Sequence, residues 1–253
     1  MKIKENNVEV ECLTPNQKFI KMWRADIERN GKHGIWEFVS RKEIPEAISG
    51  KSEADAVIII PFIQKQKIRE VVFAQEVKQQ AGSDLPDGFL VTLDCGHKIA
   101  TRTKELRYRC PDCETEDNCF DELLVIKEFR YPINDYVYSF PAGIIDPGEN
   151  PITTASRELS EETGYQIDEI IAITPPVYSS TGLTDESTIF VYAYVSKAGP
   201  AKLEGMEDIE LAPMGKAELT KLVNREAPYE NARISCKVWP IAHSLVSSQP
   251  QMV

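Results

Sequence analysis

Three glutamates crowd the stretch "RELSEETG", which covers residues 157–164. Glu158, Glu161 and Glu162 are spaced i, i+3 and i+4, so on a helix their carboxylates are neighbours and repel one another. The glycine that follows suits a helix C-terminus, where the helix dipole also disfavours negative charge. A divalent cation would relieve both effects, because Mg²⁺ takes a few oxygen ligands from protein and completes its octahedron with water and substrate phosphates. A solvated acidic helix face is the alternative interpretation.

The residues around the glutamates predict a helix over residues 151–163. Asn150 can cap its N-terminus, and Gly164 suits its C-terminal cap. The carboxylates occupy an arc beside an apolar stripe that can pack against the rest of the protein. This stripe is formed by Ile152, Ala155 and Leu159.

The spacing of the whole stretch decides between the two interpretations. It resembles the Nudix box, G-x5-E-x7-REU-x-EE-x-GU, at every fixed position. These positions are, in order, Gly143, Glu149, Arg157, Glu158, Leu159, Glu161, Glu162, Gly164 and Tyr165. So many fixed residues over one stretch make an accidental match very improbable.

The resemblance implies an α+β protein with the Nudix fold, a mixed β-sheet between helices, that hydrolyses nucleoside diphosphates linked to another group X. It implies that the box binds Mg²⁺ or Mn²⁺, with Glu158 and Glu162 as the main ligands and Glu161 and the carbonyl of Ala142 assisting. Arg157 would orient the carboxylates through charge-assisted hydrogen bonds. The metal would neutralise the pyrophosphate and activate the attacking water.

Flanking stretches narrow the resemblance to the ADP-sugar pyrophosphatases, above all the ADP-ribose hydrolases: "WEFVSRKE", "EFRYPINDYVYSFPAGIIDPGENP" and "SSTGLTDE". This implies cleavage of ADP-ribose or a related ADP-sugar to AMP and a sugar phosphate. It also implies a homodimer that exchanges an N-terminal antiparallel strand layer, with aromatic residues of that layer sandwiching the adenine. Trp36 matches the family's tryptophan, and Phe19 falls near the second stacking position. Arg41 and Arg130 match arginines that hold the diphosphate.

The catalytic base of these enzymes is usually a glutamate on a loop beyond the box. Glu207 is the best match, with Asp208 and Glu204 as rivals, and a solvated acidic linker is the alternative interpretation of this loop. One departure from the family concerns group X. The hallmark proline of the ADP-ribose hydrolases is replaced here by Ser180 or Thr181.

A cluster of cysteines indicates a second metal site of a different kind. Zinc takes four sulfur or nitrogen ligands, usually as two short-spaced pairs. Cys110 and Cys113 form one such pair, and Cys95 with His97 forms a tighter one, although Cys119 competes with His97. The predicted zinc would be structural, in a ribbon inserted into the main domain. Unligated thiols on a loop are the alternative.

The segment between the two pairs is basic, with Lys98, Arg102, Lys104, Arg107 and Arg109. One solvated face of a ribbon is the favoured interpretation. Contact with nucleic acid is the other, and it supports a second functional hypothesis, a Nudix-derived nucleotide sensor or nucleic-acid-binding module that uses the zinc ribbon. The net charge of −11 argues against non-specific binding of nucleic acid or an acidic membrane by the surface as a whole.

The elements that must position these residues alternate irregularly, which indicates an α+β class. The sequence predicts a strand–turn–strand unit at residues 17–40, strands at 56–63 and 122–131, a loop at 141–150 and helices at 215–224 and 231–246. Pro240 is expected to kink or interrupt the last helix.

We therefore expect three parts in the chain. These are an N-terminal strand layer (1–50), a Nudix domain (51–78 and 121–253) and a zinc-ribbon-like insertion (79–120). The longest apolar run, residues 56–63, is too short to cross a bilayer, and the N-terminus lacks the apolar core of a secretory signal. A cytoplasmic location is the resulting expectation.

Overall fold

The computed structural model describes residues 8–63 and 122–247. It also describes six short strands outside these ranges, namely Lys2–Glu5, Val72–Phe73, Phe89–Thr92, Lys98–Thr101, Arg107–Arg109 and Glu116–Asn118. By its internal contacts the chain divides into two compact units. The first comprises residues 1–59, 142–158 and 172–191, and the second comprises residues 60–141, 159–171 and 192–253.

The first unit begins with a four-stranded antiparallel sheet. Its strands are β1 (Lys2–Glu5), β2 (Val8–Cys12), β3 (Lys21–Arg29) and β4 (Lys32–Ser40). Asn30 and Gly31 turn β3 into β4 with φ of 56° and 68°, as the "NG" pair predicts. Alternate residues of β3, Trp23 and Ala25, are buried beside Ile48, so one face of the sheet is covered.

Helix α1 (Glu46–Ser49) follows, and then strand β5 (Ala56–Ile63). Residues 56–58 of β5 pair with strand β13 (Ala142–Ile144), which lies in the segment that the sequence predicts as loop. That prediction is wrong at these three residues. The stretch "PAG" has low strand propensity, and pairing with a buried strand overrides it.

The chain also forms a mixed sheet, and its strand order is β14–β16–β5–β11–β12–β18. Strand β11 (Glu122–Arg130) is its centre: β17 (Ile209–Met214) lies on one edge, and β12 (Asp135–Ser139) lies on the other, where β5 pairs with the first two residues of β11. The apolar run Leu123–Ile126 is fully buried. The pair of β12 with β18 (Arg233–Ile234) is parallel, which makes the sheet mixed. The remaining strands are β14 (Tyr165–Ile173), β15 (Val177–Tyr178) and β16 (Ser187–Lys197).

Three helices follow α1 in the described residues: α2 (Pro151–Thr163), α3 (Lys216–Asn224) and α4 (Val238–Val246). The first two confirm the sequence prediction. The prediction for α4 is wrong at its start, because residues 233 and 234 belong to β18. Pro240 does not interrupt the helix. It is the third residue of α4, in the first turn, where a missing N–H has no helical partner to lose.

Two small antiparallel sheets are formed by short strands between residues 72 and 118, most of them in the predicted insertion. One is formed by β6 (Val72–Phe73), β7 (Phe89–Thr92) and β8 (Lys98–Thr101), and the other by β9 (Arg107–Arg109) and β10 (Glu116–Asn118). The predicted zinc ligands lie outside the described residues, and so does Cys119. The zinc site and the domain boundaries therefore stay predictions. In the part of the chain that the structure describes, no helix is long and apolar enough to span a membrane.

Candidate active site

Helix α2 follows β13 through the loop at residues 145–150, and its N-terminus is capped as the sequence predicts. The side-chain oxygen of Asn150 accepts hydrogen bonds from the backbone N–H groups of Ile152 and Thr153, both at 3.0 Å. Two of the donors that a helix start leaves without partners are thereby satisfied. The cap fixes where the helix begins and therefore which direction its glutamates face.

Arg157 links the loop to the helix. Its Nε and Nη2 donate to the two carboxylate oxygens of Glu149 at 3.2 and 3.0 Å, a bidentate pair. Its Nη1 donates to Oε1 of Glu158 at 2.8 Å. One guanidinium thus holds two carboxylates, and its planar fork of donors suits this arrangement better than a lysine would.

Glu149 is the anchor of this network. Besides Arg157, the hydroxyl of Thr154 donates to it at 2.8 Å. Hydrogen bonding from Arg157, then from Thr154, lowers the pKa of Glu149 from 4.5 to about 2. The carboxylate is therefore charged at neutral pH and orients Arg157. Thr154, fully buried, is a contributor that the box pattern does not reveal, because that position is variable in the pattern.

Gly143 makes room for Glu158. A Cβ atom built at Gly143 would lie 1.8 Å from Oε1 and 1.9 Å from Cδ of Glu158. The carboxylate therefore occupies the space beside a strand residue that has no side chain. Gly143 directly follows Ala142 in β13, and the carbonyl of Ala142 is an expected metal ligand.

The C-terminal end of α2 is stabilised against its own negative charge. Lys197 donates from Nζ to the carbonyl of Thr163 at 2.7 Å, which places a cation where the helix dipole favours one. Gly164 follows with φ of 69°, and a Cβ there would lie 2.2 Å from the carbonyl oxygen of Gly199. Glu162 is 7% exposed, so this carboxylate is not on a solvated face.

The donor set of α2 suits a hard divalent cation. Glu158, Glu161 and Glu162 supply carboxylate oxygens, which Mg²⁺ prefers, and Gly143 leaves the space that the Glu158 carboxylate occupies. Among the residues whose side chains the structure describes, no three His, Cys, Asp or Glu side chains are gathered so as to hold a metal ion as they stand. The residues fit such a cation in chemistry and helical spacing, and binding would require the carboxylates to turn toward one point.

Two cavities in the first unit are each lined in part by residues of α1. The smaller, about 280 Å³, is largely apolar, and its lining includes Trp36, Phe38, Ala47 and Tyr178. Trp36 is 54% exposed, and its indole N–H donates to the carbonyl of Gly182 at 3.2 Å. This bond fixes the ring plane while leaving much of the ring accessible.

The larger cavity, about 850 Å³, is polar on one side. Arg41, Lys42, Lys51 and Asp146 are among its lining residues. Arg41 donates from Nε to Glu186 at 2.9 Å. The sequence analysis did not assign this partner, although Glu186 is the last residue of the compared stretch "SSTGLTDE". Phe19, the second predicted stacking residue, is 70% exposed and lines neither cavity.

The second unit holds Arg130 and Glu207. Arg130 pairs through Nη2 with Glu128 at 2.8 Å. Burial raises the pKa of Glu128, and although Arg130 lowers it, the charge of Glu207 raises it further, so the two predicted residues share one neighbour. Glu128 was missed by sequence reasoning. Its i, i+2 spacing from Arg130 on a strand is the signal that could have identified it.

Comparison with known proteins is consistent with this geometry. The family described as NUDIX domain matches residues 114–230. The ADP-ribose pyrophosphatases of Saccharomyces cerevisiae and Bacillus subtilis are 31% and 33% identical to the chain, over 51% and 43% of it and 58% and 60% of their own lengths. The ADP-sugar pyrophosphatase of Mus musculus is 37% identical over 35% of this chain and 44% of its own length. The chain thus spans about half the length of the curated relatives it matches.

A solved structure agrees at the level of the fold. The crystal structure of an ADP compounds hydrolase superposes with a TM-score of 0.53 at 16% identity, covering 93% of this chain and 89% of that one. At this identity the likeness supports the α+β fold alone. The sequence relatives add that the chain resembles ADP-ribose and ADP-sugar pyrophosphatases.

Proposed function

We propose, from the match of residues 114–230 to the family described as NUDIX domain, that the protein is a Mg²⁺-dependent pyrophosphatase acting on an ADP-sugar, with ADP-ribose as the foremost candidate. Water would add across the phosphoric anhydride bond, giving AMP and a sugar phosphate. The printed names of the relatives support this substrate class.

The observation that carries the proposal is that Arg157 donates hydrogen bonds to the carboxylates of both Glu149 and Glu158. Arg157 orients the carboxylate of Glu158 beside Gly143. The position of this carboxylate is not set by the variable residues of the box. In the proposed enzyme Glu158 and Glu162 hold Mg²⁺ or Mn²⁺, with Glu161 and the carbonyl of Ala142 assisting. The bound cation would supply charge neutralisation of the diphosphate and activation of water.

Substrate binding is proposed for residues of both cavities. The exposed ring of Trp36, held by its bond to Gly182, offers a stacking surface for the adenine. Arg41, on the larger cavity, and Arg130 would contact the diphosphate, for which the guanidinium fork is suited. Phe19, which is 70% exposed and lines neither cavity, is proposed as a second stacking residue for an adenine bound to another subunit. That role is therefore tied to the proposed homodimer.

Glu207 is the proposed general base. Its carboxylate accepts the backbone N–H of Glu204 at 2.7 Å, which orients it. Asp208, one of its rivals, has its carboxylate engaged by the hydroxyl of Tyr136. Each carboxylate thus has one oxygen engaged, and Glu207 is proposed over Asp208 because it is the better match to the loop glutamate that usually serves as base in the resembled enzymes.

A substrate panel tests the proposal. ADP-ribose, ADP-glucose, NADH, diadenosine polyphosphates and capped RNA would each be incubated with the protein under Mg²⁺ or Mn²⁺, and products would be separated by chromatography. We expect AMP and ribose phosphate from ADP-ribose at the highest kcat/KM. No hydrolysis of any compound with metal present would refute the enzymatic function. Salt-dependent nucleic-acid binding in place of hydrolysis would favour a binding module instead.

A further inference from the structure

The loop that carries Glu207 is tied to the hairpin of β11 and β12 at one residue, Asp208. The backbone N–H of Phe129 donates to the carbonyl of Asp208 at 3.0 Å. The hydroxyl of Tyr136 donates to the side-chain carboxylate of the same residue. Main chain and side chain of Asp208 are therefore both held by the hairpin, although Tyr136 lies 72 positions earlier in the chain.

Tyr136 is itself held in place by its neighbours. The ring of Phe129 meets it edge-on, with 5.4 Å between the ring centroids. The Nζ of Lys127 lies 4.6 Å from the Tyr136 ring centroid and also pairs with Glu210 at 3.1 Å. The hydrogen bond to Asp208, followed by partial burial, raises the pKa of Tyr136 above 10, so the phenol remains a donor at neutral pH.

The anchored loop presents Glu207 to the residues that matter for the proposed reaction. The backbone N–H of Glu207 donates to the carbonyl of Glu204 at 2.9 Å. This bond closes a turn directly before Asp208. The charge of Glu207 acts on Glu128, the partner of Arg130. In the ladder of β11 with β17, Glu128 pairs with Ile209, and the bond from Phe129 to Asp208 continues this ladder. A hold on Asp208 therefore constrains the residue next to Glu207 at the end of the strand that carries Arg130.

We propose that Tyr136 is a positioning residue for the hydrolysis: through Asp208 it fixes the loop so that Glu207 stays beside the Glu128–Arg130 pair. The inference rests on the proposed function, because it takes Glu207 as the base. Without the phenol, the bond from Phe129 would still retain the loop, but the turn would sample positions away from the reacting water. Misplacement by a fraction of an ångström to an ångström is enough to slow a proton transfer.

Kinetics of Tyr136→Phe test this role. The variant keeps the ring and its packing and removes the hydroxyl, so we expect kcat to fall about tenfold with KM within about twofold of the wild type. Tyr131→Phe is the matched control. The ring of Tyr131 also meets Phe129 edge-on, with 5.2 Å between the centroids, and Tyr131 is 60% exposed. Within the described residues its hydroxyl has no hydrogen bond. Its kcat should be unchanged.

Variants of the acceptor separate positioning from a general loss of stability. Asp208→Asn retains a side-chain oxygen that can accept from Tyr136 and should keep most of the activity, whereas Asp208→Ala should match Tyr136→Phe. The double variant Tyr136→Phe/Asp208→Ala should be no slower than either single one, because both changes remove the same interaction. Multiplying losses would overturn the proposal.

Hydrogen–deuterium exchange gives a readout that does not depend on substrate. The amide of Phe129, which donates to Asp208, should exchange faster in Tyr136→Phe than in the wild type and Tyr131→Phe. Unchanged exchange, or faster exchange with unchanged kcat, would contradict the positioning role. If the wild type hydrolyses no compound of the panel, the proposed function fails and the inference fails with it. If the wild type is active and Tyr136→Phe shows no defect, the inference fails but the proposed function does not.

Discussion

A Cβ atom at Gly143 would lie 1.8 Å from Oε1 of Glu158. The atoms it would meet belong to the end of a flexible side chain, so an added methyl would displace the carboxylate rather than break the backbone packing. Arg157 holds the same oxygen, so the displacement would also disturb the link to Glu149. Gly143 is therefore required by the position of one carboxylate.

Replacing Gly143 by Ala should separate activity from folding. We expect kcat/KM for ADP-ribose to fall by about a hundredfold or more, because the Glu158 carboxylate is moved by an ångström or more. The melting temperature should change little. Gly199→Ala is the control, since a Cβ there has no heavy atom within 4 Å. Equal activity of the two variants would show that the fit of Glu158 against Gly143 has no catalytic importance.

The lowered pKa of Glu149 predicts that the stability of the protein depends on pH. Its folded pKa of about 2 lies below the unfolded value of 4.5, so its contribution is complete above pH 4.5 and is lost as pH falls toward 2. Urea unfolding between pH 6 and pH 3 should therefore show a smaller decline in the free energy of unfolding for Glu149→Gln than for the wild type. The control is Glu230→Gln, at an exposed position. Parallel curves for wild type and Glu149→Gln would be inconsistent with the pKa shift.

Metal binding at α2 should depend on Glu162. Mg²⁺ at a hundred times its dissociation constant would stabilise the native state by about 2.7 kcal/mol, which calorimetry would detect as a higher melting temperature. Glu162→Gln should abolish that increase and reduce turnover by about a hundredfold or more while retaining the fold. Glu226→Gln, at an exposed position, should keep both. An undiminished response to Mg²⁺ in Glu162→Gln would remove this residue from the ligand set.

Trp36 should affect substrate binding more than turnover. Stacking of a base on an aromatic ring contributes about 1–3 kcal/mol, so Trp36→Ala should raise KM for ADP-ribose by roughly tenfold to a hundredfold, and Trp36→Phe by less. Ile35→Ala is the matched control, because Ile35 is 64% exposed and faces the opposite side of β4. Equal KM values for the three variants would contradict adenine stacking on Trp36.

Local features of the fold and site could be predicted from the sequence, because they depend on neighbours along the chain. The spacing of Glu158, Glu161 and Glu162 and the cap at Asn150 follow from helical periodicity and from donors that a helix start leaves unsatisfied. The apolar run of β11 predicts a buried strand for the same kind of reason. The predictions from sequence were wrong where pairing with a partner strand decides the structure, as at β13 and β18.

Only the tertiary structure decided which distant residues meet. The sequence determined that Glu158 projects from α2 and that Glu207 lies on an acidic loop. That Glu158 fits beside Gly143, that Tyr136 holds Asp208 and that Trp36 donates to Gly182 became known from the fold. The last two contacts join residues 72 and 146 positions apart. Such pairs are set by strand register and by which faces are buried, and these depend on the whole chain packing at once.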